Sequence, residues 1–243
     1  MEPTIAVIYP KLRHLKVQPD TDLLLALAPY VHAFPNLTHL CVTSFGNSGA
    51  RCYIAGPGPP ASGVGRDRWR HLMEFVGAIE DLYHLTELTS HVPRLAFRWQ
   101  SDHDISLLGA VLARAQPVHL IFGPGHLHFI LFVYYVKSLA EAGIREGTTA
   151  LKYLELNVYL EMGKFVFENL MDDLKVWLLT MPRLQAFKMS LVLPYPSFSG
   201  FVECLVCEHP SLKHVTMALP LGMDRKARRI AADEGRVTYQ ETH

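Results

Sequence analysis

The stretch Leu151-Lys152-Tyr153-Leu154-Glu155-Leu156 decides the fold, because its spacing recurs along the whole chain. Apolar residues occupy its first, fourth and sixth positions, and the last three residues alternate between apolar and polar. Alternation with a period of two is typical of a β-strand that buries one face. The same spacing appears seven times, at residues 12–17, 37–42, 92–97, 115–120, 151–156, 184–189 and 212–217. We call each occurrence a phrase, and we predict that each phrase contains one strand.

The stretches between the phrases have helical character. Their apolar residues recur every three or four positions, which predicts amphipathic helices. Four phrases have a proline two residues before their first apolar position, and proline marks a switch from helix to strand. The predicted helices cover residues 20–34, 67–82, 104–115, 126–142, 164–181, 197–208 and 224–234, and a final strand covers 236–241.

One interval between phrases is unusually long. The first apolar positions of the second and third phrases, Leu37 and Val92, lie 55 residues apart. Residues 44–66 are rich in glycine and proline, and we interpret them as an insertion loop within a single domain that covers residues 1–243. The alternative is a cryptic repeat in this interval, to which Leu82, Leu85 and Leu88 would belong.

The repeated phrase resembles the leucine-rich repeat, whose consensus is Leu-x-x-Leu-x-Leu with one strand and one helix per unit. The long, irregular units look most like those of ribonuclease inhibitor and of F-box proteins. Residues 34–40 and 181–184 are similar to the repeat regions of many fungal F-box-type proteins, although no F-box segment precedes the first phrase. The resemblance implies a horseshoe-shaped α/β solenoid, with parallel strands on the concave face and helices on the convex face. The rival fold is a doubly wound sheet.

The composition narrows the class of protein. The chain has 23 basic and 23 acidic residues, and 49% of its residues are hydrophobic. Disordered chains and most nucleic-acid-binding proteins differ from this balance. The longest apolar stretch, residues 127–136, is half as long as the roughly 20 residues of a membrane-crossing helix. With no secretory signal and only four cysteines, we expect a protein of the cytoplasm or nucleus that contacts no nucleic acid and no membrane.

The polar positions of the phrases define the candidate site. In a strand, the residues between the apolar ones face away from the core, and the resemblance implies that a protein partner binds on this concave face. The lean towards basic residues would suit a mildly acidic partner, and the histidines would suit a pH-dependent contact. The predicted binding residues are His14, Lys16, His39, Arg94, Arg98, His119, Tyr153, Glu155, Lys188 and His214.

We therefore predict a non-enzymatic interaction module without cofactor or metal. The resemblance extends this prediction to substrate recognition in an F-box-type ubiquitin ligase. The alternative is an open α/β enzyme with a site near His119, His126 and His128, around the glycine turn at residues 123–125. Poorly capped repeat ends would favour a homodimer.

Two further motifs are interpreted as structural. Cys204-x-x-Cys207 with His209 lacks a second pair of zinc ligands, so we interpret it as helix packing. The basic run at residues 225–229 is interpreted as the solvated face of the last helix.

Overall fold

The described residues form an α/β structure built on a ten-stranded sheet. The computed structural model describes residues 7–18, 28–43, 69, 71–79, 81, 83, 91–98, 104–125, 145–159, 164–192, 199–221, 226–233 and 236–242. The strands are β1 (His14–Val17), β2 (His39–Val42), β3 (Glu74–Ala78), β4 (Arg94–Arg98), β5 (His119–Gly125), β6 (Tyr153–Tyr159), β7 (Ala186–Val192), β8 (His214–Leu221), β9 (Lys226–Asp233) and β10 (Arg236–Thr242). The described helices are α1 (Ala28–Ala33), α2 (Asp104–Ala115), α3 (Arg145–Thr148), α4 (Lys164–Leu179) and α5 (Ser199–Glu208).

The order of the strands in the sheet follows their order in the chain. Strands β1 to β8 pair in parallel, and β9 and β10 add to the end in antiparallel orientation. The third residue of each phrase lies beside the third residue of the next, as Tyr153 does beside Ala186 and Ala186 beside His214. All seven predicted strands are confirmed, and they share one register.

The prediction of a helix at residues 67–82 is wrong, because part of this stretch forms strand β3. Residues Glu74–Ala78 form a strand that pairs with β2 on one side and β4 on the other. An eighth phrase therefore occupies residues 72–77, inside the long interval. The three leucines that we considered for such a repeat, and the predicted insertion loop at 44–66, lie outside the described residues.

A second helix prediction, near the C-terminal end of the sequence, is also wrong. Residues 224–234 are predicted as a helix, but Lys226–Asp233 pairs antiparallel with both β8 and β10. The basic run at 225–229 therefore belongs to a strand and not to a helix face. The predicted final strand is confirmed as β10.

The helix predictions hold best in the middle and later part of the chain. The helix predicted at 104–115 has those bounds, and those predicted at 164–181 and 197–208 correspond to α4 and α5. The helix predicted at 20–34 is described only from Ala28, and the helix predicted at 126–142 lies outside the described residues. Within the described part of the chain, no helix has both the length and the apolar character needed to cross a membrane.

Each of the four prolines before a phrase sits in the same turn. The amide of the first apolar residue donates to a carbonyl three residues earlier, from Leu12 to Tyr9, Leu37 to Phe34, Leu184 to Met181 and Leu212 to His209, over 3.1–3.2 Å. Proline directly after the residue whose carbonyl accepts this hydrogen bond suits such a turn, because its fixed φ matches the second position. Neighbouring turns also contact each other, since Ser211 Oγ donates to the carbonyl of Pro182 over 2.8 Å.

The core lies on the face of the sheet that the helices cover. The fourth and sixth positions of the phrases are fully buried from β2 to β8, including Leu154, Leu156, Phe187 and Met189. Aromatic rings link the sheet to α4. The ring of Phe122 lies 4.4 Å from that of Phe97, edge to face, and 6.2 Å from that of Trp177.

The two ends of the sheet differ. At the C-terminal end the sheet closes with strand β10. At the other end, the described residues 7–9 form no strand. Tyr9 instead stacks on Phe34 with ring centroids 5.6 Å apart and stays about half exposed.

Candidate functional site

The second face of the sheet is lined by the third and fifth positions of the eight phrases. We call this surface the open face, because its described side chains are all exposed or half-buried, whereas the fourth and sixth positions of the phrases from β2 to β8 are buried. Parallel pairing in one register places its side chains in two rows. The first row is His14, His39, Glu74, Arg94, His119, Tyr153, Ala186 and His214, and the second is Lys16, Cys41, Val76, Ala96, Ile121, Glu155, Lys188 and Thr216.

The structure places nine of the ten predicted binding residues on this face. The tenth, Arg98, is the last residue of β4, and its side chain is outside the described set. His14 and His39 are adjacent, and their rings stack with centroids 4.1 Å apart and planes 13° apart. His119 lies beside Tyr153, with ring centroids 5.6 Å apart.

Glu74 is the residue of this face that the sequence interpretation missed. Its Oε1 lies 3.2 Å from Nε of Arg94, and its Oε2 lies 3.8 Å from Nε2 of His39. The signal that identifies it is the phrase at 72–77, whose third position is Glu74. This carboxylate balances Arg94, so the centre of the open face is less basic than the sequence predicts.

A second ion pair lies further along the open face. Lys188 Nζ donates to Oε1 of Glu155 over 2.8 Å, and Asn157 Nδ2 donates to the same oxygen over 3.2 Å. Burial by itself raises the pKa of Glu155, but these hydrogen bonds and the charge of Lys188 outweigh it, so the net shift of the pKa is downward. The carboxylate therefore stays ionised at neutral pH and holds Lys188 beside it.

Beside the Glu74–Arg94 pair, on the same strands and on β5, the second row is apolar. Val76, Ala96 and Ile121 stand side by side on β3, β4 and β5, and all three are half-buried. The open face thus combines a short apolar strip with a row of charged and aromatic side chains. Protein interfaces have this mixed character.

The pKa of His119 lies below its ordinary value of 6.5. Partial burial disfavours the imidazolium most, and the guanidinium of Arg94 adds to this, while the Glu155 and Glu74 carboxylates oppose it without prevailing. The folded protein therefore binds this proton less readily than the unfolded chain. The resulting contribution to stability is complete above a pH of about 6.5 and is lost as the pH falls through the lowered pKa.

Replacement of Arg94 by methionine is expected to raise the pKa of His119, because a repelling cation disappears and Glu74 loses its partner. The titration of the imidazole signals by NMR measures the change. Lys16→Met is the control, since β1 is four strands from β5, about 19 Å at the usual strand spacing, and should leave the midpoint unchanged. An unchanged or lower midpoint in Arg94→Met would contradict this account.

His209, which follows the Cys204-x-x-Cys207 motif, is explained by packing. His209 is buried, and its Nε2 donates to the carbonyls of Leu178 and Met181 over 3.2 and 3.1 Å, which satisfies the end of α4. His209 is the first residue of the turn before the last phrase. Phe34 and Met181 hold the same position in the turns before their own phrases. Cys204 and Cys207 lie in α5, where Cys204 is half-buried and Cys207 is exposed.

The structure describes the alternative enzyme site only in part. His126 and His128, of the alternative enzyme site, lie outside the described residues, so only His119 of that trio is placed. Among the residues that the structure describes, no three histidine, cysteine or acidic side chains form a group able to hold a metal ion.

No protein-family model matches the chain, and no curated protein matches it.

Proposed function

We propose that the chain is a leucine-rich-repeat-like solenoid whose open face binds another protein without catalysing a reaction. In this proposal the parallel strands line the concave face of a horseshoe and the helices cover the convex face. The strand order supports it, because a doubly wound sheet reverses its order at a switch point whereas this order follows the chain throughout. The eight units in one register support it as well.

The observation that carries the proposal is the pair of in-register rows on the open face. Neighbouring strands lie about 4.8 Å apart, so a partner segment that crosses the sheet meets a new side chain at each step. The ion pairs Arg94–Glu74 and Lys188–Glu155 fix these side chains before a partner arrives. Pre-ordered side chains lose less entropy on binding, which favours affinity.

The charge arrangement defines the partner that we expect. Both ion pairs are neutral overall, and the apolar strip runs beside the first pair and ends next to Glu155 of the second. The partner would therefore present apolar side chains next to polar groups of both signs. A purely acidic surface, as the sequence alone suggests, fits this pattern less well. The resemblance to F-box-type repeats adds substrate recognition in a ubiquitin ligase of the cytoplasm or nucleus as the cellular setting that we propose.

Tyr153 is expected to be a principal contact, since it is 43% exposed and stands beside His119 on the open face. Truncation of such an aromatic contact typically costs about 2 kcal/mol, so Tyr153→Ser should weaken partner binding about 30-fold. Candidate partners are captured with the wild-type chain, and their affinities are then measured by calorimetry against the variants.

The matched control is Val176→Ser on α4, a large apolar side chain that is 54% exposed on the opposite side of the sheet. It should leave affinity unchanged. A partner that is lost with Val176→Ser and kept with Tyr153→Ser would move the binding surface to the helices and overturn the proposal. Capture of a Skp-type adaptor with the same chain tests the ubiquitin-ligase setting separately.

A further inference from the structure

Helices α4 and α5 bring a lysine, a carboxylate and a thiol together on the helix side of the sheet. Lys175 Nζ lies 3.0 Å from Sγ of Cys204 and 2.7 Å from Oε1 of Glu208, and Cys204 Sγ donates to the same Glu208 oxygen over 3.0 Å. A second thiol, Cys207, lies on the same helix and is exposed. No part of the binding proposal uses this group.

The three groups have complementary roles towards the sulfur. The ammonium of Lys175 points an N–H at Sγ, which stabilises a sulfur anion, and the carboxylate of Glu208 is placed to accept the thiol proton. The thiolate is the reactive form of cysteine, and cysteines beside a cation are the ones that oxidise most readily. From this geometry we propose that Cys204 is a site of oxidation by hydroperoxides, with Cys207 as the thiol that converts the product to a disulfide.

The charge states of the two neighbours follow from their contacts. Hydrogen bonds to Glu208 and to Cys204 raise the pKa of Lys175, and hydrogen bonds from Cys204 and Lys175 lower the pKa of Glu208. At neutral pH the lysine is therefore an ammonium donor and not a nucleophile, while the carboxylate is an ionised acceptor. A covalent product between Lys175 and Cys204 is not expected, because it requires the free amine.

The reaction has two balanced steps. In the first, the thiol proton passes to Glu208, the sulfur attacks the terminal oxygen of the hydroperoxide and the O–O bond breaks. The leaving alkoxide takes the proton from Glu208 and departs as an alcohol, so the sulfur is oxidised to sulfenic acid and the peroxide is reduced. In the second, the Cys207 thiol attacks the sulfenic sulfur, an S–S bond forms and water leaves.

The position of Cys207 suits the second step. Residues three apart in a helix lie on neighbouring parts of one face, and α5 ends at Glu208, so Cys207 is in its last turn. Helix ends fray, which lets the two sulfurs approach to bonding distance.

The experiment exposes the full chain to hydrogen peroxide and follows each cysteine by peptide mass spectrometry. Cys41 is an internal reference, because it is half-buried like Cys204 but stands on the open face, away from this cluster. Cys204 is expected to oxidise about tenfold faster than Cys41 and to become linked to Cys207. In Cys207→Ser, a sulfenic-acid trap should label Cys204.

Variants of the lysine separate this role from general packing. Lys175→Met should slow oxidation of Cys204 about tenfold, and Lys175→Arg should retain most of the rate, because the cation next to the sulfur is kept. Lys188→Met is the matched control, since it removes another lysine–glutamate pair without touching a cysteine. Equal rates at Cys204 and Cys41, an unchanged rate in Lys175→Met, or a bridge from Cys204 to Lys175 would overturn the proposal. Because the cluster lies apart from the open face, these outcomes are independent of partner binding.

Discussion

Replacement of Phe122 by alanine is expected to lower the free energy of unfolding by about 3–5 kcal/mol. Phe122 is fully buried on the core face of β5, where its ring contacts those of Phe97 and Trp177. Its removal deletes both edge-to-face contacts and leaves a cavity between the sheet and α4. Urea denaturation followed by circular dichroism measures the loss.

The matched control is the preceding residue. Ile121 is half-buried on the open face, so Ile121→Ala should cost about 1 kcal/mol, mostly from a lower preference for the strand. The two changes truncate large apolar side chains at adjacent positions of one strand and differ chiefly in the face that they affect. Similar losses for both would mean that the assignment of the two faces is wrong.

The difference between the buried face and the open face of each strand explains why most strands could be predicted from the sequence. An apolar side chain at the first, fourth and sixth positions is what a strand with one buried face requires, and seven phrases meet this condition. The eighth phrase has Gly77 at its sixth position. An added Cβ there would lie 2.6 Å from Cζ of Phe75, so the phenyl ring already fills the space that a larger side chain occupies in the other units. The presence of glycine at the sixth position depends on three-dimensional packing. The apolar pattern that identifies the other phrases is therefore incomplete here.

Strand β9 could not be predicted for a different reason. Its sequence Lys-Ala-Arg-Arg-Ile-Ala-Ala consists mostly of residues that favour helices. In the fold it lies beside β8, whose outer edge would otherwise present unpaired backbone groups. Pairing on both sides outweighs the local preference for a helix.

The properties of the open face could likewise be predicted from the sequence only in part. Alternation identifies which residues of each phrase point away from the core, and this placed the predicted binding residues on one surface. The electrostatic balance was not predictable, because Glu74 belongs to the unrecognised strand and because ion pairing depends on distances between strands. The expected basic surface therefore becomes one with two internal ion pairs.

Replacement of Gly147 by alanine is expected to destabilise the protein by about 1–3 kcal/mol, as overpacking of a buried contact does. Gly147 is buried in α3, where an added Cβ would lie 2.5 Å from the carbonyl carbon of Leu112 and 2.6 Å from the amide nitrogen of Ala113. Both atoms belong to the backbone of α2, so no side-chain rotation relieves the clash, and the two helices must separate.

The same substitution at Gly109 is expected to have the opposite sign. Gly109 lies within α2, and an added Cβ would meet nothing within 4 Å, so alanine restricts the unfolded chain without a clash. Gly109→Ala should therefore raise the free energy of unfolding by about 0.5–1 kcal/mol. Thermal and urea unfolding of the two variants, compared with the wild-type chain, tests whether α3 packs directly on the backbone of α2. If Gly147→Ala were as stable as Gly109→Ala, that close contact between the two helices would not exist in solution, and the long unit between β5 and β6 would be packed differently.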